Sequence, residues 1–531
     1  MKQNYENQTV IPLQVVGSTK FGRFPKMSSE ETFNMMISDG WLVSFPGYKK
    51  IINISEGEGR RIFTSNRWGK MIAVINATVY SIDSDLNVQE LFDLETSTGD
   101  VFIDENTNYQ IAICDKKQIW IWNWLLGTKT LAVTGTDPLD FIPGYITYQD
   151  TRFISPDISP FQNETDGNNA TWRLSVIGDG TSWPATSAFV GAIQTKPDYA
   201  IACLRVPSRG NLLYVFGHTV CELWYDTGGN LFPYTRSTTA SIDYGVVNVA
   251  TIASNETIVA WLGFNEKSGY AILYSDGSGI KQISTDGINF RLGEILTPED
   301  SFGFLFKQYG HVFYQITFYG PGDNITYVYD FMTESFFTMT DENQNFHIAK
   351  NVAFFNNTYY FVSTRDGNIY ELNGEYYTYD YGSGNVYEIP KIRICPSFRT
   401  PTAEYYTINN ITFTIEQGTD PNAKSDVTND YQRLLAQENS GFITTEDGTD
   451  ILVNLHTQTI NDYVPTIELS ISNNGGESFG NRSSKPLNPI GKRRNRLVWW
   501  SCGASNDTTV QLRFVSFWRS VAIDGEVVVS S

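Results

Sequence analysis

Short apolar runs broken by turn residues follow one another from about residue 60 to about residue 390. In KMIAVINATVYSIDSD two such runs flank Asn76, and in QIAICDKKQIWIWN they flank the polar segment from Asp115 to Lys117. Apolar and polar positions that alternate on both sides of a turn predict a β-hairpin. Segments of this kind begin near residues 71, 111, 213, 258, 312 and 352. No helix-length 3.6-residue periodicity competes with them.

The spacing of these hairpins predicts the fold. Where the hairpins are contiguous they recur about every 40 to 55 residues, the length of a four-stranded propeller blade. The sequence therefore predicts an all-β protein with a β-propeller of six or seven blades over residues 61–390. A stack of β-sandwiches stays open, because a period alone does not close a ring. The gap from Trp124 to Leu212 holds either one more blade or an excursion, and its segment ISPDISPFQNETDGNNATW predicts a long loop.

Both flanks of this region lack the hairpin rhythm. Residues 1–60 predict an extended arm that packs across other elements, with a short helix from Ser29 to Ile37. Residues 391–531 contain separate strand candidates such as KIRICPSF, TIELSIS and EVVVSS, which predict a C-terminal all-β, sandwich-like domain. The polar interval from Asp420 to Asp450 predicts an insertion in that domain.

Composition agrees with this organisation. The 531 residues exceed the roughly 250–300 at which a single core stops growing, so two or more domains are expected. Aromatic residues reach 14% and there are 43 glycines, a balance that favours strands and turns. No apolar run is long enough to span a membrane and the segment MKQNYENQTV is polar, which predicts a soluble protein made in the cytosol.

The residue types that carry catalysis or bind metals are scattered. The five cysteines have no CxxC spacing and predict buried free thiols, and the four histidines predict turn or strand surface positions. The sequence contains no HExxH, no GxSxG elbow and no P-loop. We therefore expect no enzyme activity, no catalytic residue, no cofactor and no metal. The residues concerned are Cys114, Cys203, Cys221, Cys395, Cys502, His218, His311, His347 and His456.

One stretch departs from the acidic character of the chain. Residues 482–519 contain eight basic residues and a single carboxylate, Asp507, which is a net charge of +7 in a chain that carries −20. Such a dipolar distribution favours orientation of the protein on a partner. The acidic remainder argues against a surface that generally binds nucleic acid, although DNA can pass along it.

The densest part of this stretch is the candidate interface: Lys492, Arg493, Arg494, Arg496 and Trp500. Three interpretations stay open. The cluster is a solvated loop, or it contacts a carboxylate-rich protein through bidentate guanidinium pairs, or, ranked lower, it contacts DNA phosphates. Trp499 and Trp500 are adjacent in a predicted strand, so one is expected in the core and the other at the surface.

The segment from Ser472 to Phe479, SNNGGESF, matches the S-x-[DN]-x-G-x-[ST]-[WF] Asp-box. Its side chains are expected to hold a hairpin turn by hydrogen bonds to the backbone. The motif thus indicates β architecture and gives no support to hydrolysis. No pair of carboxylates for glycoside cleavage can be selected among the 58 acidic residues without geometry.

Ordered segments along nearly the whole chain resemble one family, the packaged-DNA stabilisation proteins of short-tailed bacteriophages, also called tail accessory, head-closure or tail-hub proteins. The segments are RFPKMSSEETFNMM with SFPGYKK, LYVFGHTVCELWYDTGGNLFPYTRS with IDYGVV, WLGFNEKSGYAILYSDGSGIKQIST, GHVFYQITF with YVYDFMTESF, DGNIYEL, and TIELSISNNGGESFGNRSSKPLNPIGKRRNRLVWW. Two features depart from the family pattern. They are the insertion from Asp420 to Asp450 and Trp500, where a basic residue is expected.

The resemblance implies a non-enzymatic virion protein of the tail, synthesised in the bacterial cytoplasm. It implies a ring, with six copies favoured, that lies beneath the portal and its adaptor, closes the channel after packaging and receives the needle, fibre or spike until genome ejection. Packaged DNA would pass through or near the channel without sequence-specific binding, and no membrane span is implied. The alternative is a receptor- or glycan-binding tail propeller, which could also cleave glycans, suggested by the aromatic content and the Asp-box.

Overall fold

The computed structural model describes residues 8–21, 29–135, 140–160, 170–228, 232–399, 404–417, 431–434, 452–455, 465–487 and 494–530. Within these ranges the regular structure is β apart from one α-helix and one 3-10 helix. No helix in the same ranges is long and apolar enough to cross a membrane. The prediction of an all-β protein is confirmed.

The N-terminal part of the chain forms strands throughout. They are β1 (Gln8–Leu13), β2 (Lys20–Phe21), β3 (Ser29–Phe33), β4 (Met35–Ser38), β5 (Trp41–Ser44) and β6 (Tyr48–Ile52). The predicted helix from Ser29 to Ile37 is therefore wrong. Glu31, Thr32 and Phe33 pair with a strand of the C-terminal region, and this ladder outweighs the weak local helix signal.

Seven sets of four strands follow within the described chain, five as separate sheets and two within larger sheets. The first three sets are β7 (Gly59–Ser65), β8 (Lys70–Ile75), β9 (Thr78–Ile82) and β10 (Val88–Asp93); β11 (Phe102–Glu105), β12 (Gln110–Cys114), β13 (Ile119–Asn123) and β14 (Thr128–Val133); and β15 (Thr147–Gln149), β16 (Arg152–Pro156), β17 (Thr171–Leu174) and β18 (Val190–Ala192). The fourth and fifth sets are β19 (Ala202–Arg205), β20 (Leu212–Phe216), β21 (Cys221–Asp226) and β22 (Tyr234–Ile242); and β23 (Ala253–Ser254), β24 (Val259–Asn265), β25 (Gly269–Ser275) and β26 (Ile280–Gln282). The sixth set is β27 (Ser301–Gln308), β28 (His311–Phe318), β29 (Ile325–Asp330) and β30 (Ser335–Met339), and the seventh is β31 (Ala349–Phe355), β32 (Thr358–Ser363) and β33 (Ile369–Leu372), completed by β6. The 3-10 helix (Val249–Thr251) precedes β23, and α1 (Asp286–Glu294) follows β26.

These sheets are the blades of a β-propeller. The first strand β7 contacts β11, β11 contacts β15, β15 contacts β19, and at the other end of the series β27 contacts β31. The ring closes where β31 of the last blade contacts β7 of the first, and β6 supplies the outer strand of that last blade. The predicted hairpins are all present, and one more blade, β15 to β18, occupies the gap between Trp124 and Leu212.

The predicted loop in that gap is partly wrong. Its segment begins inside β16 and ends inside β17, so both of its ends are strand. The middle of the segment, residues 161–169, lies outside the described residues.

The strands of the C-terminal region are β34 (Thr378–Asp380), β35 (Val386–Glu388), β36 (Lys391–Ile394), β37 (Tyr406–Gln417), β38 (Tyr431–Leu434), β39 (Leu452–Leu455), β40 (Thr466–Ser472), β41 (Ser483–Pro486), β42 (Arg494–Trp500), β43 (Ala504–Ser505), β44 (Thr509–Val515) and β45 (Ser520–Ser530). Most of them belong to two large sheets, while β34 and β35 extend the sheet of the last blade and β38 pairs with β39. One sheet has the order β4-β5-β45-β37-β42, with β1 also on β45. The other continues the sixth blade in the order β30-β3-β36-β44-β40-β41. Most of the predicted insertion lies outside the described residues, apart from β38, which pairs with β39.

A shared apolar core joins these two sheets. Phe413 and Trp499 from the first sheet pack with Ile467, Leu512 and Phe514 from the second. Two sheets face to face with a common core make the C-terminal region sandwich-like. The strands β3, β4 and β5 tie this sandwich to the propeller, since β3 pairs with both β30 and β36.

Candidate interaction surface

The candidate interface lies on β42, the strand at one edge of the first C-terminal sheet. Along this strand Leu497 and Trp499 are buried, whereas Arg494, Arg496 and Trp500 are exposed. This period of two follows from the pleat, which sends alternate side chains to opposite faces of a sheet. The structure therefore brings three of the five predicted residues to one outward face. Lys492 and Arg493 lie outside the described residues.

The two described arginines of the candidate interface have carboxylate partners in the same chain. Arg496 forms an ion pair with Glu526 of β45, and the Arg494 Nε lies 4.0 Å from the Glu416 Oε2 of β37. The strands β42 and β45 both pair with β37, which places these groups on one face although they are far apart in sequence. Sequence reasoning missed Glu416 and Glu526, because only the strand order reveals them.

Four strands of this face contribute one residue each to a row with exposed apolar side chains at its two ends. Trp500 pairs with Asn410, Asn410 pairs with Val528, and Val528 pairs with Val10. The side chains at the two ends are strongly exposed, Trp500 at 71% and Val10 at 58%, while Trp499 is 4% exposed. The prediction that one of the two adjacent tryptophans is in the core and the other at the surface is confirmed.

Three further basic residues of the stretch also have neighbours that interact with them. Arg482 and Arg513 lie 3.4 Å and 3.8 Å from the same Glu468 Oε2. Lys485 donates to the Val498 carbonyl oxygen at 2.5 Å and its ammonium lies 5.3 Å from the centre of the Trp499 ring. Carboxylates from other strands lie against the stretch and partly neutralise the positive charge that the sequence alone suggests.

The Asp-box forms the turn between β40 and β41. The Gly476 N–H donates to Ser472 Oγ at 2.9 Å, and the Ser478 N–H donates to Asn474 Oδ1 at 3.1 Å. Gly475 and Gly476 have positive φ angles of 70° and 97°, which glycine adopts without steric cost. The predicted hydrogen-bonded turn is confirmed.

The histidines correct one expectation. His218 is exposed, but His311 and His347 are 7% and 2% exposed and so are not surface residues. His311 Nδ1 lies 2.8 Å from the buried Asp330 Oδ2, and His347 lies among tyrosine and phenylalanine rings. His311 begins β28 and His347 lies just before β31, and in both places neighbouring strands cover the side chain, which the local sequence does not reveal. His456 lies outside the described residues.

Few places in the described chain offer a ligand site. Cys114, Cys203, Cys221 and Cys395 are buried, and burial raises the pKa of each thiol, so these groups are poor nucleophiles. In the described ranges no group of three or more metal-ligating side chains is present. A cavity of about 570 Å³ opens at the turns of the third, fourth and fifth blades, lined by Asp150, Arg205, Asn211, Asp226 and Glu256 among others.

A comparison with protein families identifies the family to which the chain belongs. The profile of the Phage_stabilise family, described as "Bacteriophage P22 Gp10, beta-propeller", matches residues 23–376. The chain belongs to this family. The matched span of the Phage_stabilise family contains all seven blades, and the resemblance of the sequence segments up to DGNIYEL is confirmed, whereas the segment that begins with TIELSIS lies outside the match. Membership of this family indicates that the protein is a structural protein of a bacteriophage particle.

Other comparisons add little. No curated protein matches the chain. Among solved structures, the chain is similar to a streptogramin B lyase, with 13% identity over 62% of this chain and 97% of that one and a TM-score of 0.39. Virginiamycin B lyase from Staphylococcus aureus shows 13% identity over 61% and 98%, with a TM-score of 0.41. The WD40 propeller domain of Doa1 shows 11% identity over 62% and 98%, with a TM-score of 0.36. We draw no conclusion about activity from likeness at this level.

Proposed function

We propose that this protein is a structural component of the phage head-to-tail connector or tail hub. In this role it closes the portal channel after packaging, retains the DNA and docks the distal tail parts. Membership of the Phage_stabilise family carries the proposal. The protein acts in the tail of the virion without catalysis and without a cofactor, as a ring for which six copies are favoured.

The charge of the chain supports a passive relation to DNA. A net charge of −20 gives a surface that repels phosphates, so DNA in or near the channel meets no general binding site. Retention of the genome then depends on blocking its path, and it requires no base-specific contacts. The partners of the protein are therefore other proteins: copies of itself, the portal adaptor, and the needle, fibre or spike.

The outward face of β42 is the surface that we assign to one of these protein contacts. Trp500 is 71% exposed on the same face as the ion-paired Arg496, and aromatic and arginine side chains dominate the energetics of many interfaces. An acidic partner would compete with Glu416 and Glu526 for the guanidinium groups of Arg494 and Arg496. Lys492 and Arg493 complete the candidate interface in sequence.

The decisive experiment removes the protein from the virus. Particles assembled without it are expected to package DNA and then lose it, and supply of the protein in trans is expected to restore retention. Micrographs of isolated tails are expected to show the protein as a ring below the portal. Stable, filled and infectious particles that lack the protein would contradict the proposal.

A second candidate is a receptor- or glycan-binding tail propeller. The observation that favours it is a group of aromatic side chains at the turns of the first two blades, where Trp68 lies 6.4 Å from Trp124 and Tyr109 is 45% exposed. Aromatic surfaces of this kind are common at binding sites. A glycan array without binding, together with no turnover of polysaccharides, would remove this candidate.

A further inference from the structure

A buried lysine lies where the ring of blades closes. Lys350 is the second residue of β31 in the last blade, and its side chain is 3% exposed. Its Nζ contacts the Oε1 of Glu58, the residue just before β7 of the first blade. The Nζ also lies 3.9 Å from the Oδ1 of Asp100, which precedes the second blade. One amine and two carboxyl groups are therefore gathered at the junction of the first and last blades.

The surroundings hold these groups in place and keep water away from the amine. The Lys350 Nζ lies 6.0 Å and 5.9 Å from the ring centres of Phe302 and Tyr319. The backbone of Glu58 is fixed on both sides by Asn76, because the Glu58 N–H donates to Asn76 Oδ1 and the Asn76 N–H donates to the Glu58 carbonyl oxygen, both at 3.0 Å. Groups held in contact in this way react with a high effective concentration.

The charges at the site favour conversion of the ion pair between Lys350 and Glu58 into a neutral group. A buried ion pair pays for the desolvation of both ions, and this cost disappears if the two groups become one neutral amide. Asp100 keeps cations of its own, because Lys116 lies 4.0 Å from its Oδ2, and Arg60 and Arg61 also interact with its charge. Condensation of Lys350 with Glu58 would therefore leave no unpaired charge at the junction.

We propose that Lys350 and Glu58 form an intramolecular amide bond. The Nζ lone pair attacks the Cδ of Glu58, a C–N bond forms, and one C–O bond of the carboxyl group breaks. Asp100 takes two protons from Nζ in turn, one before the attack, which frees the lone pair, and one after it, and passes both to the departing oxygen, which leaves as water. An ammonium and a carboxylate thus become an amide and one water, without oxidant or reductant. Glu58 is 29% exposed, which gives the water a route to solvent.

The bond would close the propeller covalently. Glu58 and Lys350 are 292 positions apart in sequence, so the link would enclose the first six blades and join them to the first strand of the seventh. Without it the first and last blades are joined by the chain through β6, by side-chain packing and by hydrogen bonds such as those from the Ile62 N–H to Asn351 Oδ1 and from Thr64 Oγ1 to the Phe354 carbonyl oxygen. A crosslink across a long segment restricts the unfolded chain, as a disulfide does, and is expected to raise the temperature of unfolding. This inference does not depend on the proposed function.

Mass spectrometry of the intact wild-type protein tests the bond. The expected mass is lower than the mass of the sequence by one water, about 18 Da. Trypsin is then expected to release a branched peptide that joins residues 51–60 to residues 308–365, because cleavage after Lys350 is blocked. A wild-type protein with the full sequence mass would overturn the proposal.

Variants identify the atoms involved. Lys350→Arg keeps the positive charge but is expected to show its own full sequence mass, because guanidinium does not form the amide. A variant of Lys350→Arg that still lacks one water would overturn the assignment to Lys350. Asp100→Asn is expected to slow the reaction, so that freshly made protein is largely unmodified. Complete modification of that variant would overturn the role of Asp100 in the proton transfer.

Discussion

His347 was expected at the surface, but its side chain is buried, and this burial changes its pKa. It lies just before β31, with the rings of Tyr48 and Phe361 at 5.5 Å and 6.0 Å from its own. The Ala349 N–H donates to its Nδ1 at 3.3 Å, while its Nε2 has no partner. Burial lowers the pKa of His347 from 6.5 to about 3, with Asp341 opposing the shift. The folded protein therefore holds this imidazole neutral at every pH near neutrality.

This pKa predicts a loss of stability in mild acid. Below pH 6.5 the unfolded chain protonates His347 and the folded chain does not, so the free energy of unfolding falls by about 2 kcal/mol by pH 5. In His347→Asn, which keeps an acceptor for the Ala349 N–H, this part of the loss is expected to disappear. Urea unfolding of the wild type and of His347→Asn, above pH 6.5 and at pH 5, measures this loss of stability. His218→Asn, at an exposed position, serves as control and is expected to follow the wild type; equal acid sensitivity of His347→Asn and the wild type would contradict the prediction.

The sequence predicted which tryptophan is buried, but it did not predict the ion pairs of the neighbouring arginines. The alternation in RLVWW was sufficient to separate a buried Trp499 from an exposed Trp500, because a strand has a fixed period of two. The same sequence overstated the free charge of Arg494 and Arg496. Their partners Glu416 and Glu526 come from strands 78 and 30 residues away, and pairing at that range depends on the strand order of the whole sheet.

Among the elements, the N-terminal strands depend most on a single buried charge. The Arg393 side chain, on β36, is fully buried and forms an ion pair with Glu30 of β3 at 2.5 Å. It also donates to the carbonyl oxygens of Val15, Ser18 and Gln14 at 2.8 Å, 3.2 Å and 3.0 Å. One guanidinium thus satisfies three backbone groups of the segment between β1 and β2. It fixes this segment to the C-terminal sandwich.

Removal of this guanidinium is expected to be costly. Arg393→Met leaves Glu30 as a buried, unpaired carboxylate, and the free energy of unfolding is expected to fall by about 3–5 kcal/mol. The matched control is Arg399→Met, whose side chain is 62% exposed in its ion pair with Asp507, so that its loss is expected to leave the free energy of unfolding almost unchanged. Denaturant unfolding of both variants measures the difference. Equal, small losses would show that Arg393 does not anchor the segment.

Element prediction succeeded where turn chemistry is local and failed where pairing is distant. Asn76 and Asn356 adopt positive φ angles of 50° and 47° in the turns that the sequence predicted, because Asn tolerates this conformation. The third blade has strands as short as Thr147–Gln149, too short for a clear alternation. The segment from Ser29 to Phe33 becomes a strand only because β36 lies beside it, which no local pattern encodes.

At the scale of the whole molecule, the described parts of the propeller and of the C-terminal sandwich share a sheet. The sixth blade continues through β3 into β36 and β44, so a load applied to the sandwich reaches the propeller through backbone hydrogen bonds. In sequence, the basic stretch lies at the sandwich end of this otherwise acidic chain. A partner that contacts the exposed face of β42 would therefore be coupled rigidly to the ring of blades.

Reversal of charge at this end is the last prediction. Arg493→Glu together with Arg494→Glu is expected to lower incorporation into tails by at least about tenfold, because two contacts to a carboxylate-rich partner become repulsive. The matched control is Lys116→Glu with Lys117→Glu in the second blade, whose side chains are 40% and 49% exposed and which changes the net charge equally. Protein in purified particles is quantified, and circular dichroism checks that both variants are folded. Wild-type incorporation of the arginine variant would indicate a solvated loop, whereas a loss shared with the lysine control would indicate an effect of net charge.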